Sequence, residues 1–114
     1  MVGNYEVVTL CGSTKFEKEF IQAQKELSLK GFIVISVGLF RHPGDVITGE
    51  QKIMLDDMHK RKIDMADAIF VINKNGYIGE STASEIDYAE SAGKKVLYLE
   101  GNEFRSTPNG NVAP

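Results

Sequence analysis

Asn73-Lys-Asn-Gly-Tyr-Ile-Gly-Glu-Ser-Thr-Ala-Ser-Glu-Ile-Asp-Tyr-Ala89 follows directly on the apolar run Ala68-Ile-Phe-Val-Ile-Asn73. The apolar run is short, as a strand covered on both faces is. The segment after it has glycines at 76 and 79, as a loop does. Helical spacing then runs from near Ser81 or Thr82 to about Ala92, and Gly93 closes it. Strand, glycine-bearing loop and helix in that order form part of a parallel α/β sheet. Such sheets bind ligands outside the carboxyl ends of their strands. Glu85, in the first turn of the expected helix, is therefore the leading candidate for a working residue. Thr82 and Glu85 equally fit a capping box, in which the glutamate only satisfies a backbone N–H.

Working outward, Tyr5 to Leu10 is a β-rich run that ends in Cys11-Gly12-Ser13-Thr14, with Ser13 or Thr14 suited to an N-cap. From Lys15 to Lys30 the residues Phe16, Phe20, Ile21, Ala23 and Leu27 recur at helical spacing, and Gly31 sits at the C-cap. Phe32 to Val37 reads as a second strand covered on both faces. A loop over Gly38–Gly49 contains Arg41-His42-Pro43-Gly44. A helix is expected from about Glu50 to Ala66, with Ile53, Met54, Met58, Ile63 and Met65 as core candidates. Lys95 to Leu99 is the fourth strand. The alternation βαβαβαβ predicts a three-layer flavodoxin-like or Rossmann-like α/β fold with a parallel sheet in strand order 2-1-3-4. The switch point then lies between strands one and three, where the loops Cys11–Thr14 and Asn73–Glu80 meet. Residues 1–100 are read as a single domain and 101–114 as a polar tail, either disordered or docked on a neighbour.

Composition narrows the function classes. The chain has 114 residues, 42% hydrophobic and 25% charged, with a net charge of −3, so no basic field recruits nucleic acid. His59-Lys60-Arg61-Lys62 is the one dense basic cluster, and a run that short inside a helix is usually a solvated face. Cys11 is the sole cysteine, which excludes an intrachain disulfide and suggests a reducing compartment. No apolar run is long enough to cross a membrane and no signal-peptide pattern is visible, so a cytoplasmic protein without a membrane partner is expected.

Gly12-Ser13-Thr14 places free N–H groups at a helix start, which makes either an anion site or a plain N-cap turn. Gly76, Gly79, Ser81 and Thr82 form a second such cradle beside Glu85. Two cradles flanking one carboxylate suit a phosphorylated, sugar-bearing ligand. The two histidines are far apart in sequence and Cys11 has no cysteine partner, so no metal-ligand spacing is present and neither metal nor cofactor is expected.

Three stretches together resemble the nucleoside 2-deoxyribosyltransferase-like superfamily, which includes the 2'-deoxynucleoside 5'-monophosphate N-glycosidases. They are Ser81-Thr-Ala-Ser-Glu-Ile-Asp-Tyr-Ala89, Leu10-Cys-Gly-Ser13 and Ala66-Asp-Ala-Ile-Phe-Val71. The similarity spans roughly residues 5 to 99. It implies a nucleoside or nucleotide ligand, a glutamate nucleophile at Glu85, and a phosphate contact at Ser13. Gly79 falls on a phosphate- or sugar-contacting position of the family, and His59 falls where the family has an aspartate. Thr9 stands where a tyrosine is common. His59, with an ordinary pKa of ~6.5, is then a candidate proton donor. Asp56, one turn earlier, is a second candidate. Phe40, Arg41 and His42 either shape the base pocket or form an ordinary surface loop. The expected activity is N-glycosidic cleavage or deoxyribosyl transfer; the alternative is a non-catalytic nucleotide-binding or sensing module. The resemblance also implies a homo-oligomer, a dimer or larger. Val96, Leu97, Tyr98 and Leu99 on an edge strand, and Met54, Met58, Ala83, Ala89 and Ala92 on helices two and three, suit self-association.

Overall fold

A computed structural model describes residues 1–101 of the chain. Strands β1 (Val7–Gly12) and β3 (Ala68–Ile72) are buried along nearly their whole length. They pair in parallel, from Val8 opposite Ala68 to Gly12 opposite Ile72. β2 (Ile33–Ile35) flanks β1 and β4 (Lys95–Tyr98) flanks β3. The sheet is all parallel in the order 2-1-3-4, as the alternation of elements predicts.

Right-handed crossovers decide which face each helix covers. The step from β1 to β2 runs one way along the sheet, and the steps to β3 and β4 run the other way. α1 (Glu17–Leu29) accordingly covers one face, with Phe20, Ala23 and Leu27 packed on Val8, Leu10, Ala68 and Ile72. α2 (Gly49–Asp64) and α3 (Glu80–Ser91) cover the other, with Ile63 and Ala89 on Cys11, Ile69 and Val71. Burying a large side chain such as Phe20 or Leu10 contributes roughly 1.5–3 kcal/mol, and these two clusters hold the layers together.

Two expectations need correction. The run Phe32–Val37 forms only a three-residue edge strand: Phe32, Val34 and Val37 pack toward α1, while Ile33 is 51% exposed. An edge strand is covered by a helix on one side, so its apolar run is not evidence of burial on both. On α2 the inward stripe is Leu55, His59 and Ile63, continued by Ala66 just beyond the helix. Ile63 is buried as expected, but Ile53 (71% exposed), Met54 (52%), Met58 and Met65 face outward.

The amino ends of the strands are tied by polar contacts. Val7 N–H donates to Asp67 Oδ2 at 2.8 Å, and Asp67 N–H returns a bond to the Val7 carbonyl at 2.8 Å. Lys95 pairs with Glu6 at 2.7 Å. At the carboxyl ends Gly12 has φ +154°, and a Cβ there would stand 2.9 Å from Ile72 Cβ. Only glycine lets β1 lie against β3 at that point while the chain turns into Ser13.

Candidate active site

The carboxyl end of β1, the loops that follow β2 and β3, one side of α2 and the first turns of α3 surround a cavity of about 530 Å³. That lies within the roughly 300–1,000 Å³ of small-molecule sites. Gly12, Ser13, Asp56, His59, Gly79, Ser81, Thr82 and Glu85 line it, whereas Gly76, expected in the second cradle, does not. Of the loop trio, only Arg41 does. Phe40 packs edge-on against Phe20 with ring centroids 5.4 Å apart, and His42 pairs with Glu17 at 3.3 Å.

Helix α3 starts earlier than expected. Gly79 is its N-cap, without a side-chain hydrogen bond, so Ser81 and Thr82 lie inside the first turn and Glu85 in the second. The Thr82–Glu85 capping box is therefore absent. A capping box does form on α2, where Thr48 accepts from Gln51 N–H at 3.1 Å and Gln51 accepts from Thr48 N–H at 3.0 Å. At the other cradle Ser13 accepts from Lys15 N–H at 3.3 Å, ahead of a single 3-10 turn over Thr14–Phe16.

Glu85 is thus free for another role, and its side chain is only 14% exposed. Burial pushes its pKa up to about 7, against a weaker lowering by a hydrogen bond from Cys11. A helix N-terminus favours a carboxylate's charge. That effect is worth about 0.3–1 kcal/mol and fades beyond the first turn. The burial effect corresponds to about 3 kcal/mol and wins. His59 is buried beside it, with Nε2 3.9 Å from Glu85 Oε1. Burial first, then the Lys62 charge, lowers its pKa to about 4. The ring is neutral at physiological pH, so the imidazolium donor expected from its ordinary pKa is not available there. It is also not the solvated helix residue that the neighbouring lysine suggests.

Cys11 completes this cluster and was not visible as a site residue in the sequence. Its Sγ lies 3.5 Å from His59 Nε2, and burial pushes its thiol well above the ordinary range. The signal for it is register. Thr9 and Cys11 point to the same face of β1, and Thr9 Oγ donates to the Lys62 carbonyl at 2.8 Å. That bond fixes the last turn of α2 over β1, which sets His59 above Cys11.

Tyr77 and Lys52 also line the cavity and had no site role in the sequence. Tyr77 follows a turn in which Asn75 and Gly76 both have positive φ. Glu100 braces this turn, accepting from Asn75 N–H at 3.1 Å and exchanging two bonds with the Asn73 side chain at 2.9 Å each. Lys15 lies over the Tyr77 ring, 3.6 Å from its centroid, and so joins the turn after β1 to the loop after β3. Lys52 lines the wall and holds the half-exposed Asp56 at 2.9 Å.

No protein-family model and no curated protein matches the chain. Among solved structures it is similar to a conserved protein from Enterococcus faecalis V583, with a TM-score of 0.59 and 12% identity over 93% of this chain and 70% of that one. At that identity the likeness shows the fold alone. Among the described residues no helix is long and apolar enough to cross a membrane.

Proposed function

We propose that this protein cleaves the N-glycosidic bond of a nucleoside or nucleoside 5'-monophosphate, or transfers its deoxyribosyl group, with Glu85 as nucleophile. One observation carries the reading: a nearly buried carboxylate sits in a ligand-sized cavity that is also lined by the Ser13 turn and by the start of α3, whose N-cap Gly79 makes no side-chain hydrogen bond. A Glu85 oxygen attacks the anomeric carbon, the C–N bond breaks, and the base leaves with the electron pair and takes up a proton. The glycosyl ester is then resolved by water, giving hydrolysis, or by a second base, giving transfer. Ser13 and the amides near Gly12 hold the 5'-phosphate in this scheme. The leaving base takes its proton from water in this scheme, because His59 is neutral and Asp56 is paired with Lys52 at 2.9 Å, and the Cys11 thiol beside Glu85 holds the nucleophile in place.

A second reading, a non-catalytic nucleotide-binding or sensing module, is favoured by one observation. Near pH 7 Glu85 is only about half ionised, which is a poor state for a nucleophile. One experiment separates the two. The protein is incubated with a panel of nucleosides and their 5'-monophosphates, and free base is measured beside ligand affinity. The catalytic reading expects base release with monophosphates preferred, and loss of that preference in Ser13→Ala. Tight monophosphate binding that Ser13→Ala weakens, with no base released by the parent, supports the sensing module. An unchanged preference in Ser13→Ala removes the phosphate cradle from either account.

Self-association belongs to the same proposal. The outward residues Ile53 and Met54 on α2 are apolar surface that a second copy would cover. Light scattering at micromolar concentration is expected to give a multiple of 12.6 kDa; the mass of one chain would refute it.

A further inference from the structure

Beneath the cavity, Cys11 from β1, His59 from α2 and Glu85 from α3 each direct one ligand-type atom to a common point, all within 4.8 Å of one another. We propose that these three side chains form a binding site for a borderline-soft divalent cation, zinc above all, with the fourth position open to the cavity.

Three features argue for it. The first is distance. A tetrahedral zinc at the usual bond lengths separates a thiolate sulfur from an imidazole nitrogen by about 3.5 Å. Cys11 Sγ and His59 Nε2 stand 3.5 Å apart, Glu85 Oε1 lies 3.9 Å from the same nitrogen, and with all three atoms within 4.8 Å of one another a shift of the Glu85 side chain by about 1 Å completes the set. The second is charge. A thiolate and a carboxylate carry two negative charges, and one divalent cation in place of two protons leaves the buried cluster neutral. The third is donor type: the mixed sulfur, nitrogen and oxygen donors suit zinc rather than magnesium or calcium. The ion enters through the cavity, because His59 and Glu85 line it while Cys11 lies below them.

This goes beyond the glycosidase reading and is tested without substrate. Zinc on Glu85 occupies the oxygen that attacks the sugar, so a zinc-loaded protein is a blocked one. Full-length protein is stripped with chelator, exchanged into metal-free buffer and titrated with zinc by calorimetry. One ion per chain is expected, with a Kd of about 1 µM or tighter. Cobalt in place of zinc is expected to show a thiolate-to-metal charge-transfer band. Because Cys11 is the sole cysteine, that band on the unaltered protein identifies its ligand without any variant. Glu85→Gln should weaken zinc binding by about tenfold or more. His42→Ala should change nothing; His42 lies beside Glu17 and Asp45 and is the rival site for an adventitious ion. No stoichiometric zinc, cobalt uptake without the band, full affinity in Glu85→Gln, or loss of binding in His42→Ala each overturns the site. None of these outcomes touches the assay for base release.

Discussion

Glu85→Gln is expected to lower base release more than about 100-fold while unfolding at higher denaturant than the parent at pH 8. The two halves have one cause. The carboxylate is held where burial opposes its charge, with no cap to satisfy and only a thiol hydrogen bond and the weaker pull of Lys60 and Lys52 in its favour. An amide fills the same volume without the charge. It cannot attack an anomeric carbon, and it spares the fold the cost of burying an ionised group, which is of the order of 3 kcal/mol above pH 7. A functional group kept at the expense of stability is a familiar trade. The measurement is free base by chromatography, beside a denaturation midpoint at unchanged slope. Equal base release by parent and variant would sink the nucleophile. A lower midpoint in the variant would sink the burial argument.

The second expectation concerns pH, in chelator-treated protein. Glu85 has a folded pKa of about 7 against 4.5 for the free side chain. Its contribution is therefore fully present at low pH and is lost as pH rises from 4.5 through 7. His59 has a folded pKa of about 4 against 6.5. The unfolded chain binds that proton and the folded chain does not, so its contribution grows as pH rises from 4 to 6.5. Each amounts to about 3 kcal/mol, with opposite sign. In the parent the two nearly cancel between about pH 4.5 and 6.5. Glu85→Gln leaves the histidine slope alone, and the variant gains about 3 kcal/mol relative to the parent's profile across that window. His59→Asn leaves the glutamate slope and loses a similar amount. Denaturant midpoints at half-unit pH steps read both. Three parallel profiles would show that neither group titrates as its burial requires.

The sheet and its strand order could be read from the sequence because they rest on periodicity and on the handedness of crossovers, both local rules. The positions lining the cavity could be read because turn chemistry marks loop ends, and the strand order brings those ends together. Three things could not. Ile53, Met54 and Met58 have the spacing of a core face, but which stripe of α2 meets the sheet depends on His59, a polar residue that takes a core position. Gly79 is a weaker N-cap signal than Thr82, so the N-cap of α3 lies three residues earlier than the Thr82–Glu85 pattern suggests and Glu85 is outside the first turn. Cys11 enters the site through strand register and the Thr9–Lys62 bond, and nothing local announces either.

The strands are occupied differently at their two ends. Asp67 and Val7, with Lys95 and Glu6, lash the amino ends together, while the carboxyl ends carry the cavity and its buried acid. Val7 and Gly12 are separated by about 16 Å of extended chain, farther than side-chain changes usually feel one another. Scaffold and chemistry therefore draw on separate stretches of the same four strands. Replacing the ligand-facing residues leaves the lashing intact, and reinforcing the lashing leaves the ligand's surroundings alone. A chain of this design can change what it binds without relearning how to fold.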